Sequence, residues 1–202
     1  MISSKISVIK YLVIQTVFNQ RIVNVIISLK STGLVDSYND NNQGYRTLNE
    51  FGCFATITPG VIFHNTLASS DYGYLQHGTF DPRPSYFAVV LWNQLMGETV
   101  YDSGEEIREG AHVFAHSRKD GKEGIAYLVI NNSKTETTTV ELPKEAAVYR
   151  LNGNGDMRSP VMYLNGKALV LGENDELPVM EGEITPAGTM EIAPGTCVFI
   201  TI

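Results

Sequence analysis

The sequence predicts a mainly β chain, with an antiparallel β-sandwich over residues 98–202 preceded by one strand–loop–helix unit. Three observations carry this reading. From residue 98 the chain breaks into short β-type segments divided by turn residues: "AHVFAHSR", "GIAYLVINNS", "TTTVEL", "AAVYRL", "PVMYL", "KALVL" and "GTMEIAPGTCVFITI". "MYLNGKALV" sets Asn165-Gly166 between two apolar runs, the strongest short-range hairpin signal, and Pro194-Gly195 marks another turn. Ahead of these strands, "FDPRPSYFAVVLWNQLMG" (80–97) carries the clearest helical pattern in the chain.

In chain order, residues 1–31 are rich in Ile and Val without a clean period of 2 or 3.6, a composition compatible with strands. "STGLVDSYNDNNQG" (31–44) reads as a polar connector. "YRTLNEFGCFA" (45–55) reads as a helix end, with Leu48 and Phe51 on one side and Gly52 as the C-cap. "PGVIF" (59–63) is a short, continuously apolar segment, the pattern of a strand buried on both faces. In the helix that follows, Ser85 is the expected N-cap and Gly97 the end. Phe87, Val90, Leu91 and Leu95 form one face, and Val89 and Trp92 stand on the other side.

Between that strand and that helix lies "HNTLASSDYG" (64–73), six small polar side chains closed by an aromatic–glycine pair. A plain turn needs two or three such residues, so this loop asks for a reason. Its own chemistry suggests one candidate, a nucleophilic triad of His64, Asp71 and Ser69 or Ser70. No strained elbow of the GxSxG kind accompanies them, and a hydrogen-bonded loop is the favoured reading.

The net charge of -7 and the lack of clustered Lys and Arg argue against a nucleic-acid partner. Residues 1–46 hold five basic and two acidic side chains and the remainder ten and twenty, a shift that marks a boundary near residue 45. Cys53 and Cys197 read as buried free thiols in preference to a disulfide, and neither sits in a CxxC pair that would suggest zinc. No apolar run approaches the roughly 18 residues needed to cross a bilayer. The start, "MISSKISVIKYLVIQTVF", lacks a small-residue cleavage site and is not read as a signal peptide, which leaves the localisation open.

Other candidates weigh less. His112 and His116 have helical chelating spacing but lie in a strand pattern, where four residues span about 13 Å, too far for one ion. They are expected as partly exposed strand residues; no metal or cofactor is expected. Glu105-Glu106 and Asp175-Glu176 are adjacent carboxylates in charged turns, and neighbours on a strand face opposite ways. Asn131-Asn132-Ser133 is a formal glycosylation sequon, and "RKDGKEG" (118–124) a charged hairpin turn.

The block "VIFHNTLASSDYGYL" followed by "FDPRPSYFAVVLWNQLMG" resembles the heparanase and β-glucuronidase family of retaining glycoside hydrolases, glycoside hydrolase family 79. In that family a barrel strand runs into a loop with an Asp/Asn-Tyr element, then a Pro-x-Pro helix start and a Leu-Met-Gly helix end. The resemblance covers about residues 45–202 and corresponds to the C-terminal portion. It implies that residues 45–97 are the last strand–loop–helix remnant of a (β/α)8 barrel, residues 98–202 the family's β-sandwich, and residues 1–44 an atypical, unassigned N-terminus. In such barrels the active site lies at the C-terminal ends of the strands, which answers the question the loop raised. Position by position, the resemblance implies that Tyr72 lies beside the sugar, with backbone from Ser70 and Asp71 near it and His64 and Asn65 at the strand end. The implied ligand is a glucuronide-type glycan, and the family's usual locations are secreted, periplasmic or lysosomal.

One departure is large. The family's two catalytic glutamates lie on earlier strands, and where the nucleophile is expected this chain reads "RIVNVIISL", with Asn24. No Glu ends an apolar strand, so no catalytic residue is assigned. Two functions follow: the C-terminal part of a glucuronide-acting hydrolase, inactive unless completed by the missing barrel portion, or a non-catalytic sandwich module that binds carbohydrate or a partner protein.

Overall fold

The structure is a computed structural model, and it describes residues 41–57, 60–64, 66–70, 72–105 and 111–202. The expectations for residues 1–40, for Asn65 and Asp71, and for Glu106 lie outside the described residues. Helix α1 spans Asn41–Ile57 and α2 spans Pro84–Leu95. Ten strands follow: β1 Met96–Tyr101, β2 His112–Arg118, β3 Ile125–Asn131, β4 Thr138–Leu142, β5 Ala146–Asn152, β6 Tyr163–Leu164, β7 Lys167–Ala168, β8 Glu183–Thr185, β9 Gly188–Ile192 and β10 Thr196–Thr201.

The main sheet runs β1-β2-β3-β10-β5-β6-β7, with β8 also paired to β5, and β4 and β9 form a separate two-stranded ladder. Every named pairing is antiparallel. Strand side chains alternate between faces, and the alternation is visible in two apolar clusters. Phe114, Ala126, Leu128, Ile130, Leu151, Cys197 and Phe199 join the helices on one face. Val129, Val148, Val198 and Ile200 meet Leu142, Met190 and Ile192 of the small ladder on the other. Antiparallel sheets commonly leave one face wet. Here β10 is buried along its whole length because both faces are covered, which accounts for its unbroken apolar run. Chain architecture is therefore mainly β, as the sequence predicts.

The Asn165-Gly166 hairpin forms as expected. Both residues have positive φ, 48° and 79°, the type I′ geometry that Asn-Gly adopts with least strain, and they join β6 to β7. Gly195, at φ 59°, lies in the turn that carries the chain from the small ladder at β9 to the main sheet at β10.

Four local expectations are corrected. Gly52 is not a C-cap: α1 continues to Ile57, and Gly52 faces the Phe114 ring of β2 so closely that any Cβ would strike it. Close packing, not helix termination, is the reason for glycine there. Ser85 is not the N-cap of α2; Arg83 holds that position, Pro84 opens the helix, and Ser85 is buried within it. Gly97 does not end the helix. Helix α2 stops at Leu95, Met96 caps back to the Trp92 carbonyl, and Gly97 already belongs to β1, against Ser117. Finally, residues 60–63 belong to no ladder among the described residues, since a strand exists only with a neighbour to accept its backbone hydrogen bonds.

Helix α1 is fastened to the sandwich by polar as well as apolar contacts. The Tyr45 hydroxyl donates to the Gly195 carbonyl at 2.6 Å, and His112 Nδ1–H donates to Asn49 Oδ1 at 2.5 Å. Trp92 of α2 bridges the layers, edge-on to Phe51 at 5.6 Å and to His116 at 5.1 Å. His116 is not the partly exposed residue expected: it is 4% exposed, its Nδ1–H donates to the Gly97 carbonyl at 2.8 Å, and Nε2 is buried with no partner among the described residues. Burial holds its pKa below the usual histidine value, against a smaller opposite pull from the Gly97 carbonyl.

Two outcomes follow from this packing. Gly52→Ala should destabilise the chain by about 1–3 kcal/mol, because the added methyl must push α1 off Phe114. A rise in melting temperature, the result expected from helix propensity alone, would show the seam to be loose. Burial makes the folded His116 take up a proton less readily than the unfolded chain, whose histidines titrate near pH 6.5. The His116 contribution should therefore be level above that pH and be lost as pH drops below about 6.5. Denaturant titrations should show His116→Gln, which keeps a donor for Gly97 but does not titrate, with a flatter profile over that window.

Candidate functional site

Leu67, Ala68, Tyr74 and Leu75 of the polar loop and its flank join the apolar cluster that holds Tyr45 and Leu48 of α1 and Tyr86 and Phe87 of α2. The backbone sets the frame. Leu75 and Pro82 form an antiparallel bridge, Gln76 N–H donates to the Asp81 carbonyl at 2.7 Å and Arg83 N–H to the Tyr74 carbonyl at 3.0 Å. On the other side Leu75 N–H donates to the Leu67 carbonyl at 2.9 Å. A tight turn then closes with Gly73 N–H donating to the Ser70 carbonyl at 3.2 Å. Gly73 is buried there, and a Cβ on it would come within 2.9 Å of the Leu67 carbonyl oxygen, so glycine is what lets the two backbones approach.

Tyr72 rides on that turn with 36% of its surface exposed. His64 stands beside it: its Nε2–H donates to the Tyr72 carbonyl at 3.0 Å, and its ring stacks on Tyr74 at 4.2 Å and 22°. Burial lowers the His64 pKa, the Tyr72 carbonyl works against that, and the Arg46 charge adds to it. Tyr74 is buried, which, with the negative charge of Glu50, lifts its phenol well above the usual range. Glu50 and Arg46 of α1 form an ion pair with Nε to Oε1 at 3.2 Å. Burial raises the Glu50 carboxyl even against the pull of that guanidinium.

The structure thus brings Tyr72, His64 and Ser70 together around one turn, while Asn65 and Asp71 lie outside the described residues. His64 is engaged with backbone and a tyrosine face, so it braces the loop. Among the described residues no nucleophile–base pair forms from the triad candidates: Ser69 Oγ donates to Thr66 Oγ1 at 3.0 Å, and the His64 Nε2 proton goes to a carbonyl. Arg83 is the residue that sequence reading missed. It is 5% exposed, and its Nη1 donates to the carbonyls of Ser70 at 3.0 Å and Gly73 at 3.5 Å. Its one signal in the sequence was an arginine where a helix usually takes a short polar cap.

The lesser candidates resolve into structure. His112 and His116 engage separate partners, Asn49 and Gly97. Glu176 accepts from the Asn174 backbone and side chain within its own turn. Asn131 of the sequon is 2% exposed, and its Nδ2 donates to the carbonyls of Glu136, Ile192 and Ala193, pinning β3 to the end of β9. In the folded chain its amide is inaccessible to modification.

Comparison with solved structures gives a shared fold first. The fold is shared with glycoside hydrolases: a family 51 arabinofuranosidase from Xanthomonas axonopodis pv. citri superposes with a TM-score of 0.51 at 13% identity, over 81% of this chain and 36% of that one. A family 30 subfamily 8 xylanase from Clostridium acetobutylicum gives 0.50 at 10% identity, over 81% and 39%. Sequence relatives then narrow the likeness. The chain is 27% identical over 165 residues to baicalin-β-D-glucuronidase of Scutellaria baicalensis, covering 78% of this chain and 31% of that protein. It is 26% identical over 193 residues to heparanase-like protein 1 of Arabidopsis thaliana, covering 77% and 35%. Inactive heparanase-2 of Homo sapiens is 25% identical over 195 residues, covering 85% and 32%. No protein-family model matches the chain. Its resemblance is to the heparanase and β-glucuronidase family, and it spans about a third of the length of these relatives, consistent with a partial C-terminal portion.

Proposed function

We propose that the chain is the C-terminal part of a retaining glycoside hydrolase acting on glucuronide-containing carbohydrate, and that the Tyr72 turn lies beside the sugar. The observation that carries this reading is the contrast within the loop. Backbone and neighbouring side chains are tied inward, while the Tyr72 ring is left at the surface. A ring set edge-on to His64 on a tied turn can pack on a sugar without first losing much conformational freedom. The names of the relatives, glucuronidases and heparanase-like proteins, supply the ligand class. In this reading residues 45–97 close a (β/α)8 barrel and residues 98–202 form the sandwich that supports it. No helix among the described residues is long and apolar enough to cross a membrane.

Retaining hydrolysis uses two carboxyl groups about 5–5.5 Å apart, one protonating the leaving oxygen and one attacking the anomeric carbon. The sequence supplies no Glu at the end of an apolar strand. Beside the loop, Glu50 is already paired with Arg46. The 202-residue chain by itself is therefore proposed to hold sugar weakly and to catalyse nothing. A second reading, a module that binds without chemistry, draws support from the relative named as inactive heparanase-2.

Incubated with a chromogenic aryl β-glucuronide, the purified chain should release no phenol over hours. Saturation-transfer NMR should nonetheless detect the glucuronide bound, and Tyr72→Ala should weaken that signal. Turnover that survives purification would reveal carboxylates that have been missed, with Asp71 and then Glu50 the first to replace by the amide. Absence of binding would remove the sugar-side assignment of Tyr72.

A further inference from the structure

We infer that Arg83 is the positioning residue of the Tyr72 turn. This deepens the proposed function and rests on its sugar-side reading of Tyr72. Arg83 occupies the N-cap of α2 with extended backbone, φ -90° and ψ 167°, and makes no side-chain cap bond there. A serine, aspartate or asparagine at that place would satisfy free N–H groups of the first helical turn. Arginine forgoes this, and it is almost entirely buried, which arginine seldom is unless its donors are used. Its guanidinium points back into the loop, where Nη1 donates to the Ser70 and Gly73 carbonyls on either side of Asp71-Tyr72.

The remaining backbone groups of the turn are held at the same time. Arg83 N–H holds the Tyr74 carbonyl, Gly73 N–H the Ser70 carbonyl, and His64 the Tyr72 carbonyl. The described carbonyls from Ser70 to Tyr74 are thus each engaged, two of them by one side chain anchored at the head of a buried helix. Such an arrangement fixes where the Tyr72 backbone sits, and the ring stands edge-on to His64 at 6.5 Å. The two hydrogens of Nη1, fixed in the guanidinium plane, suit two carbonyls at once, whereas a lysine ammonium in the same place is a point charge on a floppier stem.

Arg83→Met and Arg83→Lys in the full 202-residue chain test this. In Arg83→Met the Gly73 amide should exchange at least tenfold faster, while the amides of Val129 and Val198 in the central strands keep their rates. Affinity for the aryl β-glucuronide should fall at least tenfold, and Arg83→Lys should restore part of both. A Gly73 rate that does not change, or acceleration of all amides together with affinity per folded molecule retained, would assign Arg83 to general stability and overturn the inference. Should the methionine variant not fold, the lysine variant decides by the same two readouts. If the unaltered chain binds no glucuronide, the sugar-side reading of Tyr72 fails, and a selective Gly73 response would still support the clamp.

Discussion

Because the central strands of the main sheet carry apolar side chains on both faces, neither face can be left to water, and the rest of the molecule is arranged to cover them. Helices α1 and α2 lie on one face, over Phe114, Leu128 and Phe199, and the β4–β9 ladder lies on the other, over Val129, Val198 and Ile200. The cover on the helical side is set by one contact, the Phe114 ring against the bare backbone of Gly52. Interiors packed to crystal-like density do not absorb an added methyl group freely. The approach of α1 sets where Tyr45, Asn49 and Glu50 fall, and hence which neighbours Gly195, His112 and the polar loop can reach.

Polar contacts within these seams do a different job from the apolar ones. His116, Asn131 and Arg83 are all nearly inaccessible, and each satisfies backbone carbonyls at a junction between elements. Such groups are expensive to leave unpaired, so they select one arrangement over near alternatives as much as they add stability. At the loop, the inward ties of His64 and Arg83 leave Tyr72 as the aromatic group presented outward on that turn, as its proposed place beside a sugar requires. The chain shares its fold with a glycoside hydrolase and resembles glucuronidase and heparanase-like proteins, which is the basis of the proposed role for that ring.

Much of the architecture was legible in the sequence because it rests on local rules. Turn residues spaced between β-type segments gave the strands, and Asn165-Gly166 gave its hairpin, since few residues other than asparagine and glycine tolerate two successive positive φ values. The pattern over 80–97 gave α2. The misreadings share a cause. By residue type Gly52, Ser85 and Gly97 read as punctuation, but each is decided by what packs against it or by where a neighbouring element begins. The candidate site was legible only in outline. Its polar richness and its Asp-Tyr-Gly element stood out, but Arg83 lies thirteen residues from Ser70, and no local pattern signals a contact of that span.

By itself, then, the sequence determined the mainly β class, the order of most elements, the hairpin, and the resemblance to a glucuronidase-type family, all of which depend on periodicity, turn stereochemistry and short motifs. Tertiary structure alone decided that the sheet is covered on both faces, that His116 and the sequon residue Asn131 are buried braces, and that an arginine at the head of α2 grips the loop. The reason is physical: local conformation is set by interactions within a few residues, whereas burial and long-range hydrogen bonding depend on which surfaces meet after the chain has closed on itself.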